Sequence, residues 1–345
     1  MMSTGDGWPT KISLREEKMG IEDAIKIYGA KINDLLKELI PPGRKDYLSD
    51  PIWHHLHTGG KRVRPAICLI TCEALGGNPD NAVHFALAVE IMHNMFLMHD
   101  DIEDGDTMRR DQPTVWVKYG IANAVNAGDY LLACAYKSIL ASPVSVEKKV
   151  QLLQVFTLTY GKTVEGQALD INARAAEGFT VDKYMEMVEL KTGCYLACGM
   201  VGGAIASGAS EQVVEKIWTL GKTMGPAFQI RDDLIDLTQG KGRGGVIGSD
   251  IKEGKASFLY SYVLQVANSD DKRQLYLIMS KERDDTTDSD IKVVLDIYKK
   301  YHAMEYAQDY ADSLIKQAYK TIDEIPVENK TIFKEIASFM ANRMS

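Results

Sequence analysis

The chain has 345 residues, of which 45% are hydrophobic and 26% charged, and its formal net charge is −8. The acidic balance argues against broad nucleic-acid binding, and the composition is ordinary for a soluble globular protein. No run of about 18 apolar residues predicts a membrane span, and residues 1–20 lack the apolar core of a signal peptide. The five cysteines have no disulfide-framework spacing, which is typical of a reducing compartment and predicts a cytoplasmic protein.

Helical periodicity dominates the chain after residue 20. The apolar stripe that begins at Ile21 and ends before Pro41 predicts a first helix. The same signals predict further helices at 64–76, 81–104, 121–141, 146–173, 181–207, 210–238, 256–266, 271–280, 287–318 and 328–343. Alternating strand patterns are absent. The sequence therefore predicts an all-α protein, with an N-terminal extension at 1–20 and a single-domain bundle of long helices at 21–345.

A glycine turn at residues 59–60 is followed by three cations, Lys61, Arg62 and Arg64. Pro65 suits the first turn of the helix that begins beside them. Backbone amides at a helix start, together with cationic side chains, can hold a phosphate group. In an acidic protein, this cluster indicates a small anionic ligand.

The most informative pattern is Asp-Asp-x-x-Asp, which occurs twice, each time after an apolar helical stretch. The two copies contain Asp100, Asp101 and Asp104, and Asp232, Asp233 and Asp236. In each copy the first and last aspartates are at i and i+4 on one helix face, where they repel each other unless a cation lies between them. Two such pairs facing each other would form a cage of hard oxygen ligands, suited to Mg²⁺ shared with a phosphorylated substrate.

A single acidic motif could equally be a solvated helix end. The apolar flanks of both motifs favour a cavity, because buried carboxylates without a metal or a base are very costly. The sequence therefore predicts metal-assisted chemistry on a diphosphate.

Other side chains near the motifs can bind anions. His93 lies on the helix face of the first motif, which favours a ligand role over a core role. Two adjacent arginines, Arg109 and Arg110, follow that motif and can face different anions, although cations at a helix end are often only surface charges. Taken singly, Lys191 and Lys255 are more typical of solvated charges.

A second glycine-rich loop, at residues 239–245, contains the pattern G-x-G-x-x-G. The loop follows a helix rather than a strand, so it lacks the structural context of a dinucleotide-binding motif. A mobile lid or a loop beside the metal site suits it better, with a plain surface linker as the alternative.

Together, these motifs resemble those of the trans-isoprenyl diphosphate synthases, the polyprenyl synthetase family that includes geranylgeranyl and farnesyl diphosphate synthases. The similarity runs from Gly59 to Lys255, with the motifs in the family's order. The resemblance implies an isoprenoid synthase fold, in which helices surround a central apolar cavity, and a homodimer. It also implies two substrates, isopentenyl diphosphate and an allylic diphosphate (dimethylallyl, geranyl or farnesyl).

The resemblance assigns a role to each candidate residue, with both acidic motifs and Lys191 at the catalytic centre. Three Mg²⁺ ions would be bound by Asp100, Asp104 and Asp232, with support from Asp101, Asp233 and Asp236. The allylic diphosphate would contact Arg109, Lys191, Thr192, Gln229 and Lys255. Isopentenyl diphosphate would be bound by Lys61, Arg64, His93 and Arg110.

The sequence departs from the family pattern at three places near the site. One is Ala256-Ser257 after Lys255, where Arg-Thr or Lys-Thr is more usual. Gly245 stands where many members have a lysine, and Lys241 or Arg243 of the same loop could replace that contact. Asp111 follows Arg110 at a position where glycine is common.

Two other functions fit part of the pattern. A class I terpene cyclase shares the fold and one aspartate motif, but it needs no isopentenyl site and usually has a different second metal motif. A noncatalytic subunit of a prenyl synthase is the alternative from a different class, although such subunits tend to lose an aspartate motif.

The helix before the first motif predicts the product length. At a rise of about 1.5 Å per residue, Met95 and Phe96 lie roughly 6–8 Å below Asp100, and Met92 lies one turn deeper than Phe96. A bulky side chain there would be a floor for the growing prenyl chain, although these residues could also simply fill the core. The single aromatic, where C15-producing relatives often have two, favours geranylgeranyl diphosphate, with farnesyl diphosphate as the alternative.

Overall fold

Helices make up almost all the regular structure of the computed structural model, which describes residues 20–43, 46–173, 178–238, 247–327 and 330–341. The all-α prediction is thus confirmed. The helices are α1 Ile21–Leu39, α2 Ser49–His57, α3 Val63–Ala74, α4 Pro79–Glu103, α5 Val115–Tyr119, α6 Ile121–Leu140, α7 Val146–Ala173, α8 Val181–Val188, α9 Cys194–Ser207, α10 Glu211–Asp236, α11 Ser249–Lys252, α12 Phe258–Val266, α13 Ser269–Met279, α14 Asp288–Lys300, α15 Ala303–Glu324 and α16 Thr331–Ala341. No helix in these ranges is long and apolar enough to cross a membrane.

Two of the predicted helices are each divided in the structure. The helix expected at 181–207 contains a π-helical turn at Glu189–Gly193, which separates α8 from α9. The helix expected at 287–318 ends at Lys300, because His302 adopts a left-handed conformation with φ 53°. A left-handed residue just after a helix is a common way to end it, and α15 starts immediately afterwards.

The sequence did not predict the shortest elements. The short helices α2, α5 and α11 were missed, as was an antiparallel ribbon of β1 Met108–Arg109 and β2 Gln112–Pro113. Elements this short contain too few residues to show a hydrophobic period.

The buried apolar side chains form two cores. The first includes Leu69, Phe85 and Phe156, and it is built mainly from α1–α7, α9 and α16. The second includes Phe258 and Tyr298, and it is built mainly from α8 and α11–α14. The helices α10 and α15 pass through both cores and join them.

Helix α10 changes core at an irregular point. Its buried side chains belong to the first core up to Met224 and to the second from Ile230 onward, and Pro226 lies between them. The π turn faces this point, since a Cβ on Gly225 would lie only 2.3 Å from Cα of Gly193. Glycine is therefore required at 225, and the close approach brings the middle of α10 against the π turn.

Helix α4 is buried on every face and carries the first acidic motif at its C-terminal end. Its N-terminus is fixed by Asn78, whose side chain accepts a 3.0 Å hydrogen bond from the backbone N–H of Asp80, with Pro79 at the first helical position. Because α10 carries the second acidic motif at its own C-terminal end, both motifs open onto the same side of the bundle.

Candidate active site

Both acidic motifs line one cleft of 460 Å³, which has walls from both cores. The cleft also contains every residue that the sequence assigned to the allylic diphosphate. The predicted residues that line it are Asp100, Asp104, Arg109, Lys191, Thr192, Gln229, Asp232, Asp233, Asp236 and Lys255. The predicted residue Asp101 is 1% exposed and does not line the cleft.

The lining of the cleft is strongly acidic. Ten carboxylates line it against three cations, Arg109, Lys191 and Lys255. Burial raises the pKa of Asp100 to about 7; Lys191 opposes this rise, whereas Asp104 adds to it. Carboxylates gathered in this way repel one another, so the cleft favours a cationic ligand.

The six motif aspartates divide into two groups. Asp104 and Asp232 are exposed in the cleft and Asp100 is half-buried there, whereas the other three are buried against protein. The buried members are Asp101, Asp233 and Asp236. This division matches the one that the resemblance implied between metal ligands and supporting residues.

Each buried aspartate holds a neighbouring element in place. Asp101 accepts a hydrogen bond of 2.7 Å from Nε of Arg109, and Nη2 of Arg109 lies 2.6 Å from the same oxygen. Asp236 accepts from the hydroxyl of Ser249 and, at 3.0 Å, from the backbone N–H of Asp250. Asp236 therefore fixes the start of α11.

Asp233 has the most hydrogen-bonding partners of the three. Its Oδ2 accepts from the Tyr184 hydroxyl at 2.7 Å and from the backbone N–H of Phe258 at 2.9 Å. Its Oδ1 lies 3.4 Å from Nζ of Lys255 and 3.4 Å from Nε2 of Gln229. Asp233 thus ties α10 to α8 and α12 and orients two residues that line the cleft.

The two lysines of the cleft are held as cations by carboxylates. Lys191 forms an ion pair of 2.6 Å with Asp170. Burial alone would lower the pKa of Lys191, but Asp170 and Asp100 outweigh burial and raise it. Lys255 lies 2.9 Å from Asp250, and its pKa is likewise raised against the effect of burial.

The π turn supplies Lys191 and Thr192 to the cleft. The Thr192 hydroxyl donates to Oε1 of Gln229 at 3.3 Å, so the turn and α10 are joined beside the second motif. A π turn inserts one residue into a helix, and such insertions are frequent at functional sites.

The donor set of the cleft fits Mg²⁺ and does not form a complete site for it. Carboxylate oxygens are the ligands that Mg²⁺ prefers, and Asp100, Asp104 and Asp232 present them to the same space. Among the residues that the structure describes, no three His, Cys, Asp or Glu side chains are close enough to hold a metal ion by themselves. This arrangement suits Mg²⁺ ions that take their remaining ligands from water and from substrate phosphates.

A second, cationic pocket adjoins the cleft. It has a volume of 60 Å³ and is lined by all four residues that the sequence assigned to isopentenyl diphosphate: Lys61, Arg64, His93 and Arg110. Leu97 lines both this pocket and the cleft, so the two spaces share a wall. Nη1 of Arg64 lies 3.5 Å from Nε2 of His93, and burial and Arg64 lower the pKa of His93. A neutral His93 can accept a hydrogen bond in a pocket that is also lined by four cations and one carboxylate: Lys61, Arg62, Arg64, Arg110 and Glu90.

The β1–β2 ribbon directs its two arginines to different pockets. Arg109 points at the cleft, whereas Arg110 donates to the carbonyl oxygen of Gly59 beside the second pocket. Arg110 and Asp111 are the two central residues of the turn, with φ 49° and 62°, as in a type I′ turn. This geometry favours glycine at position 111, and aspartate, which tolerates a left-handed backbone, can take its place.

A buried ion pair behind the second pocket was missed by the sequence analysis. Nη1 of Arg62 lies 2.8 Å from Glu90, and its Nε donates to Oδ1 of Asn33 at 2.9 Å. Asn94 donates to the same glutamate oxygen at 3.0 Å. Arg62 therefore anchors the loop that carries Lys61. Three of the four residues from 61 to 64 are basic, and the sequence alone gave no sign that Arg62 differs from the other two.

The predicted chain-length residues pack in the first core. Met92 and Met95 are 0% and 1% exposed, and none of the three predicted residues lines the cleft. Phe96 is half-buried; its ring stacks on Tyr160 at 5.6 Å and meets Tyr195 edge-on at 6.1 Å.

Some predicted residues lie outside the part of the chain that the structure describes, and some residues that line the cleft were not predicted. The loop at 239–245, with Lys241, Arg243 and Gly245, lies outside the described residues, as do residues 1–19. Several lining residues come from outside the motifs and were not predicted from the sequence: Asp106, Asp170, Tyr184, Asp250 and Glu253. Of these, Asp250 and Glu253 precede Lys255 closely enough to have been suspected.

Comparisons with known proteins agree with this geometry. A family model described as polyprenyl synthetase matches residues 45–298. The chain is 34% identical over 324 residues to the geranylgeranyl pyrophosphate synthase of Geoglobus acetivorans, covering 94% of this chain and 98% of that one. It is 32% identical over 327 residues to the geranylgeranyl diphosphate synthase of Methanosarcina mazei, with coverage of 94% and 98%. The crystal structure of geranylgeranyl pyrophosphate synthetase from Pyrococcus horikoshii matches with a TM-score of 0.87 at 33% identity, over 94% of this chain and 98% of that one.

Proposed function

This chain belongs to the polyprenyl synthetase family, and we propose that it joins the allylic diphosphate of the cleft to isopentenyl diphosphate in the adjoining pocket. The chain is a trans-prenyltransferase. The observation that carries the assignment of substrates is the shared wall at Leu97. It separates a carboxylate-rich cleft, suited to a metal-bound diphosphate, from a small cationic pocket, suited to a second diphosphate.

In the proposed reaction, the allylic C–O bond breaks and its electron pair leaves with the diphosphate. Arg109, Lys191 and Lys255 face this diphosphate and stabilise the charge that develops on it. Asp100, Asp104 and Asp232 would bind three Mg²⁺ ions, which when present neutralise the same diphosphate.

The second pocket orients the nucleophile. Lys61, Arg64 and Arg110 bind the isopentenyl diphosphate, so that its double bond points past Leu97 toward the allylic carbon. A new carbon–carbon bond forms, and the proton lost from the neighbouring carbon passes to the released diphosphate. Exclusion of water from the cleft prevents capture of the allylic cation by water.

We propose geranylgeranyl diphosphate as the main product, with farnesyl diphosphate as the alternative. Two observations support the longer product: the names of the similar proteins from Geoglobus acetivorans and Methanosarcina mazei, and the single aromatic Phe96 beside the flexible Met95.

We further propose that the enzyme is a homodimer that works in the cytoplasm. Eleven of the seventeen large apolar side chains that are exposed in the described structure lie between Val117 and Ile171, mostly on α6 and α7. An apolar surface of this extent favours burial against a second copy of the chain. The five cysteines are free thiols, in keeping with a reducing compartment.

The purified protein should be incubated with isopentenyl diphosphate, Mg²⁺ and each of the three allylic primers, and the products sized by chromatography. We expect C20 product from every primer, loss of activity in EDTA and recovery with added Mg²⁺. The variant Asp104→Asn is the matched control, since this aspartate is exposed in the cleft. Absence of chain elongation with all primers would overturn the proposal, and a cyclised hydrocarbon formed without isopentenyl diphosphate would indicate a terpene cyclase instead.

A further inference from the structure

Arg283 connects the two sides of the cleft at its rim. Its Nη1 lies 2.8 Å from Oδ1 of Asp106, and its Nη2 lies 3.3 Å from Oε1 of Glu253. Both carboxylates line the cleft and are largely buried, whereas the Arg283 side chain is 48% exposed. We call this group of three side chains the rim clasp.

The two carboxylates of the rim clasp are attached to different cores. The carbonyl oxygen of Asp106 accepts hydrogen bonds of 2.8 Å from the Thr114 hydroxyl and from the indole N–H of Trp116, which packs on the first core. Glu253 directly follows α11, and Ile251 of α11 belongs to the second core. Arg283 itself precedes α14, which also packs in the second core.

Two helical connections between the cores, the α8–α9 junction and α10, are irregular close to the cleft, whereas α15 is continuous. The π turn separates α8 from α9, and Pro226 interrupts the hydrogen bonding of α10 at its change of core. Such irregularities permit small rotations of one core relative to the other. Without the Arg283 cation, the ion pairs that link Asp106 on the first core to Glu253 on the second core are lost, and the open arrangement becomes more favourable.

We propose that Arg283 is a positioning residue that keeps the cleft closed over the allylic diphosphate between successive condensations, and so influences how far the chain grows. The inference rests on the proposed function of the cleft. Growth stops whenever an intermediate leaves before the next isopentenyl unit is added, so the ratio of release to addition sets the product distribution. A weaker rim clasp raises the rate at which the intermediate is released, and it leaves the groups that act on the diphosphate unchanged.

An isotope-trapping experiment tests this inference. Enzyme loaded with labelled geranyl diphosphate and Mg²⁺ is mixed with isopentenyl diphosphate and a large excess of unlabelled geranyl diphosphate, and the label captured in product is counted. In Arg283→Met we expect the captured fraction to fall about two- to fivefold, the range for a partly exposed ion pair. With a dimethylallyl primer, the same variant should release more C10 and C15 product.

Arg273→Met is the matched control, because it removes an exposed arginine from α13 of the same core. Arg283→Lys should recover part of the captured fraction. The double variant that combines Arg283→Glu with Asp106→Arg exchanges the two charges. It should capture more label than the single variant Arg283→Glu. The inference would be overturned if Arg283→Met and Arg273→Met had the same captured fraction and the same product lengths.

A measurement without substrate separates the rim clasp from the proposed function. In Arg283→Met, amide hydrogen exchange in residues 105–114 should be faster than in Arg273→Met, whether or not the protein elongates prenyl chains. Equal exchange in the two variants would show that Arg283 does not hold the rim, even if the wild-type enzyme makes the expected product.

Discussion

The Tyr184 hydroxyl donates a 2.7 Å hydrogen bond to Asp233, which removes this aspartate from the set of groups free to bind a ligand. Its neighbour Asp232 is exposed in the same cleft. Adjacent residues of one motif therefore serve different ends: one presents its carboxylate to the substrate, and the other holds helices together.

We expect Asp232→Asn and Asp233→Asn to be distinguished by stability. Asp232→Asn should lower kcat by about 10²-fold or more, because the lost charge acts on the substrate. It should change the free energy of unfolding only a little, because this exposed side chain stands among other carboxylates whose repulsion the substitution relieves. Asp233→Asn should lower the free energy of unfolding by about 1–3 kcal/mol in addition, because a buried hydrogen-bond network is disturbed. Urea denaturation followed by circular dichroism measures the difference. Equal stability of the two variants would contradict the division of roles.

The two pockets predict different kinetic defects. Lys61→Ala should mainly raise the KM for isopentenyl diphosphate, and Lys191→Ala should mainly impair the reaction of the allylic substrate. Truncation of a charge that contacts a diphosphate should cost about 2–5 kcal/mol. Steady-state kinetics with each substrate varied in turn gives the test. A similar effect of both variants on both substrates would show that the pockets are not separate sites.

Phe96 provides the test of the chain-length prediction. Phe96→Ala should shift the products toward chains longer than C20, since it removes a ring packed between Tyr160 and Tyr195 below the first motif. The substitution should also cost about 3 kcal/mol of stability, so assays belong well below the melting temperature. Phe156→Leu, which alters a buried ring on α7 packed against Phe85, is the control for general loosening of the core. An unchanged distribution in an active Phe96→Ala enzyme would place the floor on another helix.

His55 should make stability depend on pH. Burial, followed by Arg109 and Arg110, lowers its pKa to about 3 in the folded protein, from 6.5 in the unfolded chain. The folded state therefore keeps His55 neutral while the unfolded state takes up a proton, and stability should fall as the pH drops from about 6.5 toward 3. The loss should amount to about 3–5 kcal/mol for this side chain.

The variant His55→Gln isolates this contribution. Its free energy of unfolding, measured in urea between pH 7 and pH 4.5, should decline less steeply than that of the wild type. Parallel profiles for the two proteins would show that His55 titrates normally in the fold. The slopes of unfolding free energy against pH can be compared even if the variant is less stable than the wild type at every pH.

The sequence predicted the parts of the site that depend on local spacing. Each acidic motif lies at the C-terminal end of an apolar helix, as predicted, and Lys61 and Arg64 lie at the start of α3. The hydrogen bond between Tyr184 and Asp233 and the rim clasp at Arg283 were not predicted, because their partners are 49 and 177 residues apart. The π turn was missed for a different reason: one inserted residue changes the helical period too little to be visible over five residues.

The buried ion pair between Arg62 and Glu90 has a consequence for affinity. Arg62 has a left-handed backbone with φ 50°, and a Cβ on Gly60 would lie 2.7 Å from Nη1 of Arg62. The backbone beside Lys61 is thus already restricted to one arrangement in the folded protein. The conformational entropy of this loop is therefore lost when the chain folds, not when a diphosphate binds. Because the anion site is preorganised, more of the interaction energy with the substrate contributes to affinity.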